Sequence, residues 1–305
     1  MLKYKITHIF ILVFPFLICT LKPYNVKAVD ILYTGSTNGQ IENCRCPSDP
    51  YGSMEKRAPE INRRRALGEV IVLDSGDFMP ESVDTLKART IIEIMAHTRY
   101  DAIALGDQEL QQGIALVAEM SRKLPLVSAN LEYADGRLLA PSFRVFDRDS
   151  HTYIVTAIYD PMLFLGLDST IQKHFKVHDP DEALNKVRQK APGDAVFIVL
   201  CHAPEQKQQQ FASSWQGMDL IIGGHTEAVI EGVDHRATIP IVQAGAKGRY
   251  LGVAQIHGDR VKAELVAIRP EFPDDSTIID LFMKYKSEKK KLEHKEKLEI
   301  GSQTQ

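Results

Sequence analysis

The sequence predicts a layered α/β domain with mixed β-sheets, and its apolar patterning carries that prediction. Apolar runs rich in valine, isoleucine and leucine recur between turn signals, which is typical of buried strands: DILYT, EVIVLD, DAIAL, LPLVSAN, AVFIVL and MDLIIGG. The intervening segments place apolar residues at helical spacing, as in TLKARTIIEIMAHTR, GIALVAEMSRK and PDEALNKVRQKA. At 305 residues and 44% hydrophobic content, the chain can fill the core of such a domain.

Two further stretches predict β-hairpins, so we expect mixed sheets rather than purely parallel ones. SFRVFDRDSHTYIVTAI and RYLGVAQIHGDRVKAELVAI each contain two alternating segments around an Asp-containing turn. The net charge of -3 gives no basic field that would attract nucleic acid, which excludes that class of partner.

Residues 1–28 have the pattern of an export signal. Lys3 and Lys5 precede an apolar run over residues 9–18, and small residues lead up to Ala28. A membrane-spanning helix needs about 18 apolar residues, and this run and all later ones are shorter. We therefore expect cleavage near Ala28, a periplasmic or secreted protein, and no transmembrane anchor after cleavage.

The chain changes character near its end. DDSTIIDLFMKYK predicts a capped amphipathic helix, and residues 284–299 then contain seven lysines and four glutamates. Such charge runs are usually solvated, and docking to a protein partner or a membrane surface is the alternative. We accordingly divide the chain into the signal, a domain over residues 29–270, and a charged helix or tail over residues 271–305.

Four side chains that end predicted strands have the chemistry of metal ligands. These are Asp77, Asp107, His202 and His225. Strand ends with glycine-rich turns let side chains from distant stretches of an α/β chain meet at one point. Two carboxylates and two imidazoles suit zinc, manganese or a similar divalent ion. The sequence therefore predicts a metal site at these strand ends.

The order of six motifs resembles that of the calcineurin-like metallophosphoesterases, in particular the amino-terminal domain of their 5'-nucleotidase branch. The family motifs are DxHG, GDF, ALGNHE, SAN, a lone histidine and GGHTH. Their counterparts here are Ser36–Gly39, Gly76–Phe78, Gly106–Glu109, Ser128–Asn130, His202 and Gly223–Glu227. The resemblance covers about residues 30–270. It implies a four-layer sandwich of two mixed sheets flanked by helices, a divalent metal cofactor and a small phosphate ester as substrate.

The resemblance also implies ligand roles. In the family two metal ions lie side by side and the GDF aspartate bridges them, so Asp77 is the bridging and catalytic residue. The quartet of Asp77, Asp107, His202 and His225 then holds one ion. The other ion would keep Asn38 and Glu227 as ligands, because the DxH pair and the final histidine are replaced. We expect one strong site rather than two.

Gln108 stands where the family has a histidine that can protonate the leaving group, and we assign it that catalytic position. A glutamine cannot transfer a proton at neutral pH, and the loss of a factor of about 10²–10⁴ costs about 3–5 kcal/mol of transition-state stabilisation. Two functions stay open. One is an exported phosphoesterase with an incomplete dimetal centre, and the other is an inactive relative that binds a metal, a ligand or a partner. Because about 35 residues follow Pro270, we expect no counterpart of the family's nucleotide-gripping domain.

Four more residues are candidates for the site. Cys44 and Cys46 follow the first motif, and their thiolates would form a soft metal site or a redox pair; a loop bridge or two free thiols is the alternative. The resemblance also implies that Asn130, the asparagine of the SAN motif, is a candidate for binding the substrate, and Arg57 is a candidate for meeting its phosphate. A loop hydrogen bond explains an asparagine equally well, and a solvated helix face explains an arginine.

Overall fold

Within residues 29–43 and 51–303, which the computed structural model describes, two five-stranded β-sheets pack face to face and helices cover their outer faces. The signal-like segment and the pair Cys44 and Cys46 lie outside the described residues. The strands are β1 (Asp30–Thr34), β2 (Val70–Asp74), β3 (Ala102–Ile103), β4 (Leu131–Tyr133), β5 (Phe143–Arg148), β6 (His151–Tyr159), β7 (Phe175–Val177), β8 (Val196–His202), β9 (Leu220–Gly224), β10 (Ile241–Val242), β11 (Tyr250–His257) and β12 (Arg260–Ala267). The helices are α1 (Met54–Leu67), α2 (Thr85–Thr98), α3 (Asp107–Gln111), α4 (Ile114–Lys123), α5 (Pro161–Leu165), α6 (Ser169–Gln172), α7 (Pro180–Arg188), α8 (Glu205–Ser214) and α9 (Ser276–Gln303).

Both large sheets are mixed, as the sequence predicts. The first has the order β12-β11-β1-β2-β3, in which β1, β2 and β3 are parallel and β11 is antiparallel to both of its neighbours. The second has the order β10-β9-β8-β6-β5, with β5 antiparallel to an otherwise parallel set. The two predicted hairpins are β5–β6 and β11–β12. The LPLVSAN segment, which we expect to be a strand, instead contributes a single bridge between Leu126 and Ile103.

Alternation along the strands produces three apolar cores. In β1, Ile31 and Tyr33 point between the sheets and Leu32 points to the outer helices, because successive strand side chains face opposite sides. The inner core joins residues of both sheets. The outer cores contain helices α1, α2 and α4 on the first sheet and α7 and α8 on the second. This helix–sheet–sheet–helix order is the four-layer sandwich that the resemblance implies.

The parallel strands place their carboxyl ends at one edge of the sandwich. In the first sheet, Thr34 is in register with Asp74, and Asp74 with Ile103. In the second sheet, Tyr159 is in register with His202, which is in register with Gly224. The loops that leave these strands therefore meet at a common edge. Five of the six motifs lie in these loops or at the strand ends, and Ser128–Asn130 follows the single bridge of Leu126 beside β3.

The last helix docks onto the domain by its first turns. Pro59 lies inside α1 and has no N–H, so the carbonyl of Glu55 lacks its helical donor and accepts from the N–H of Asp275 instead. Ile278 of α9 is fully buried in the core with α2, while the helix from residue 289 onward is exposed to residue 299. Among the described residues, no helix combines the length and hydrophobicity that a bilayer crossing requires.

Candidate metal centre

The structure brings together the four side chains that the sequence selects at the strand ends. Asp77 follows β2, Asp107 begins α3 after β3, His202 ends β8, and His225 follows β9. One ligand atom from each lies within 4.8 Å of the others. Asp77 and His202 are buried, while Asp107 and His225 are partly exposed, so the cluster opens to solvent on one side.

The separations within this quartet match those around one metal ion. His202 Nε2 lies 3.2 Å from Asp107 Oδ1 and 3.4 Å from Asp77 Oδ2. His225 Nδ1 lies 3.1 Å from Asp107 Oδ1 and 3.9 Å from Asp77 Oδ2. Bonds of about 2.0–2.2 Å place neighbouring tetrahedral ligands about 3.4 Å apart. The donor types and their spacing thus fit a divalent ion such as zinc or manganese.

His202 is held with one ring nitrogen available to a cation. Its Nδ1 lies 2.9 Å from the carbonyl oxygen of Ser75, which accepts a hydrogen bond from the protonated nitrogen. This bond fixes the tautomer that leaves the lone pair on Nε2, toward the two carboxylates. The ring of Tyr159 stacks parallel to the imidazole with centroids 5.8 Å apart. The orientation of His202 is therefore set before any ligand binds.

The backbone passes so close to the ligands of the quartet at two positions that only glycine fits there. A Cβ at Gly106 would lie 2.3 Å from Asp77 Oδ1 and 2.6 Å from His202 Nε2. A Cβ at Gly76 would lie 2.8 Å from His202 Nδ1. Asp77 itself has φ of 57°, a left-handed conformation that is uncommon for a residue with a side chain. Strain of this kind is common at functional sites, where the surrounding structure holds it in place.

Glu109 supports the backbone around the quartet, and the sequence reasoning did not select it. Its fully buried carboxylate accepts hydrogen bonds from the N–H groups of Asp77 (2.8 Å), Met79 (2.9 Å) and Gly106 (2.7 Å). Burial, together with the charge of Asp77, raises the pKa of Glu109 to about 8. The available signal was its position three residues after Gly106, which is the spacing of an acidic side chain that caps the start of a helix.

Opposing effects set the charges of the quartet. Burial by itself raises the pKa of Asp107, but hydrogen bonds with His202 and His225 outweigh it and hold the pKa well below its usual range. Burial lowers the pKa of His202, but Asp77 and Asp107 outweigh it and raise the pKa well above its usual value. The site therefore favours positive charge between its carboxylates, and a divalent ion would compete there with a proton.

The residues at the positions of the second ion's ligands, as the resemblance implies them, contact other groups of the chain. Ser36 Oγ donates to the carbonyl of Thr226 at 3.3 Å. Asn38 Oδ1 accepts from Gln108 Nε2 at 3.1 Å. The carboxylate of Glu227 lies outside the quartet, and its Oε1 is 3.4 Å from Lys247 Nζ. Gln108 Oε1 is buried, and within the described part of the chain it has no hydrogen-bond partner.

Asn130 and Arg57 are placed as supports rather than at an open site. Asn130 is fully buried; its Nδ2 donates to the carbonyls of Tyr159 and His178, and its Oδ1 accepts from the N–H of Tyr159. This is the loop hydrogen bond that the sequence left open as the alternative. The expectation that Arg57 meets a phosphate does not agree with its placement. Its side chain is 2% exposed and donates to Thr37 Oγ1, because its position on α1 faces the first loop.

Of the cysteines, Cys201 lies within the described residues. It is a free cysteine buried in β8, and burial raises the pKa of its thiol. This placement is that of a small apolar core residue. The thiol site suggested for Cys44 and Cys46 stays a prediction.

Comparisons with known proteins agree with the motif order and the fold. The venom 5'-nucleotidase of Crotalus adamanteus is 26% identical over 269 residues, which cover 74% of this chain and 44% of that protein. The chain spans about half the length of the curated relatives it matches. No protein-family model matches the chain.

Solved structures give the same result for the fold. The 5'-nucleotidase precursor of Thermus thermophilus superimposes with a TM-score of 0.75 at 20% identity, over 85% of this chain and 58% of that one. The calcineurin-like phosphoesterase YfkN of Bacillus subtilis gives a TM-score of 0.67 at 19% identity, over 85% of this chain and 97% of that one. The resemblance to the amino-terminal domain of the 5'-nucleotidase branch is thus confirmed, as is the sandwich fold.

Proposed function

We propose that this chain, which has the fold and motif order of the amino-terminal domain of 5'-nucleotidases, is an exported metal-dependent phosphoesterase. The observation that carries the proposal is the quartet of Asp77, Asp107, His202 and His225, whose donor atoms lie within 4.8 Å of one another. The substrate class is a small phosphate ester, and the names of the relatives favour a nucleotide. The proposed site takes one divalent ion, with manganese or zinc suited to its nitrogen and oxygen donors.

In this proposal the chain's own residues position the ligand atoms of the ion. A divalent ion in the quartet would supply Lewis acidity, which withdraws electron density from a phosphoryl oxygen. His202 offers Nε2 because its Nδ1 is committed to Ser75, and the N–H of Gln108 holds Asp77 Oδ1 at 3.2 Å. The side-chain amide of Gln108 donates hydrogen bonds but transfers no proton. We therefore expect slow turnover that depends strongly on the leaving group.

A second candidate function is binding without catalysis. The observation that favours it is the pairing of Gln108 Nε2 with Asn38 Oδ1 at 3.1 Å, which fills a catalytic position with two neutral amides. In this reading the quartet binds a metal ion for recognition of a ligand or a protein partner. In this second candidate function, Cys44 and Cys46 would serve a thiol-redox role.

Metal analysis and phosphate release distinguish these functions. The purified protein is analysed for bound metal, then assayed with p-nitrophenyl phosphate and AMP in the presence of manganese, zinc or magnesium. Metal-dependent release that is lost in Asp107→Ala and kept in Asp135→Ala, an exposed residue paired with Arg137, supports the enzyme. Metal binding without release from any ester supports the second candidate. A protein that binds none of these ions contradicts both.

Export is tested on the same protein by mass spectrometry. Expression in a bacterium with a secretion pathway should give a chain that lacks residues 1–28. A full-length mass in the exported fraction would contradict cleavage near Ala28.

A further inference from the structure

We propose that the ammonium group of Lys247 supplies the second positive charge of this site, in place of a second metal ion, and binds the phosphoryl oxygens of the substrate. The inference deepens the proposed function and rests on it. It starts from a disagreement between the fold family, which implies two ions, and the residues present at one of the two positions.

The residues at that position do not fit a divalent ion. A structural or catalytic site normally has at least three good protein ligands. Ser36 offers a neutral hydroxyl that donates to the carbonyl of Thr226, and Asn38 Oδ1 already accepts from Gln108. Asp77 is shared with the quartet, which leaves Glu227 as the remaining carboxylate, and its side chain is 56% exposed.

A lysine of the same chain lies beside Glu227. Lys247 Nζ lies 3.4 Å from Glu227 Oε1. The resemblance places a metal-binding histidine at residue 227, so the ammonium is next to the group that would otherwise contact an ion. A positive charge is therefore present where the family motif leads us to expect one, although its source is a side chain.

The backbone of Lys247 is fixed next to the first loop. Its N–H donates to the carbonyl of Ser36 at 2.9 Å, and it has φ of 58°. Its carbonyl packs against Gly52 so closely that a Cβ there would lie 2.4 Å away. These contacts hold the residue in an uncommon left-handed conformation, while its side chain remains 44% exposed.

The side chain can exchange Glu227 for a phosphate. Exposed ion pairs are weak because water competes with both partners. Phosphate carries more charge than a carboxylate, and a lysine ammonium is a common point-charge ligand for it. Lys247 is thus positioned to contact a phosphoryl group that is bound at the mouth of the quartet.

Binding of manganese and of inorganic phosphate tests the inference. Calorimetric titration of the purified protein should give one manganese ion per chain. Phosphate should bind the manganese-loaded Lys247→Asn variant about tenfold more weakly, the effect of one charge-assisted hydrogen bond. Asparagine tolerates the left-handed conformation, so this variant should fold. Lys247→Arg keeps the charge and should stay within about threefold of the unaltered protein.

Lys123→Ala provides the matched control. Lys123 is 46% exposed and pairs with Glu119 at 2.9 Å, but it lies on α4 in the outer helical layer. The Lys123→Ala variant should bind phosphate with the same affinity as the unaltered protein. Two manganese ions per unaltered chain, or equal phosphate affinity in Lys247→Asn, would overturn the inference and leave the proposed function standing. Absence of binding of manganese, zinc and magnesium would instead overturn the proposed function itself.

Discussion

The carboxylate of Glu109 joins two backbone segments around the candidate metal centre, since it accepts from the N–H groups of Asp77 and Met79 in one loop and of Gly106 in the next. Replacing it with alanine leaves three buried donors without an acceptor. We expect Glu109→Ala to lower the free energy of unfolding by about 3 kcal/mol or more. Metal affinity should fall by about 10- to 100-fold, the usual effect of losing a group that orients ligands.

Urea unfolding of the metal-free protein and manganese titration check this prediction for Glu109. Glu119→Ala is the control, because Glu119 lies on α4 and forms exposed ion pairs. It should change the free energy of unfolding by less than about 0.5 kcal/mol. Unchanged manganese affinity in Glu109→Ala would show that Asp77 holds its conformation without this carboxylate.

Gly106 gives a second prediction at the same scale. A methyl group there would overlap Asp77 Oδ1 and His202 Nε2, at 2.3 and 2.6 Å. We expect Gly106→Ala to displace one of these ligands and weaken manganese binding by about 100-fold. Gly193→Ala is the matched control, since nothing lies within 4 Å of its added Cβ. Equal manganese affinity in the two variants would contradict the close packing assigned to Gly106.

The residues of the site differ in how far the sequence could predict them. Asp77 and His202 follow buried strands, so alternation and glycine-rich turns locate them without knowledge of packing. Arg57 lies on a helix, and the sequence does not say which face of α1 meets the first loop. Lys247 contacts Ser36 across more than 200 positions of sequence. Its placement beside the first loop depends on the whole sandwich, which local pattern does not encode.

At the scale of elements, alternating segments around a turn predict strands better than apolar composition alone. The hairpins β5–β6 and β11–β12 form as their alternation predicts. LPLVSAN has the composition of a strand, but it forms one bridge beside β3 and then leads to the short β4. An apolar composition predicts that a segment is buried, and Leu126 and Val127 are buried. Composition does not predict whether a neighbouring strand offers a continuous row of hydrogen-bond partners.

Helix α9 should contribute stability through its first half alone. Ile278 is fully buried against the first core, whereas Leu292 is 52% exposed. We expect Ile278→Ala to lower the free energy of unfolding by about 2–5 kcal/mol, because it leaves a cavity. Leu292→Ala, a change of the same size in the same helix, should change it by less than about 0.5 kcal/mol. Urea unfolding measures both, and equal effects would contradict the docking of the first turns.

At the scale of the whole molecule, the two sheets act as one support for the site. Asp77 and Asp107 come from the first sheet, and His202 and His225 come from the second. A single ion bound by the quartet would therefore link both halves of the sandwich across the inner core. Unfolding either sheet separates the ligands, so metal binding and global folding should be coupled.

This coupling predicts how stability depends on metal concentration. A ligand that binds the folded state alone raises the free energy of unfolding by RT ln(1 + [L]/Kd). Above Kd, each tenfold rise in free manganese should add about 1.4 kcal/mol if one ion binds, and about 2.7 kcal/mol if two bind. We expect the smaller slope, because Lys247 and Glu227 pair at the second position. Urea unfolding at a series of buffered manganese concentrations measures it, and Asp107→Ala should bring the slope close to zero. The larger slope would mean that Glu227 leaves Lys247 and binds an ion of its own.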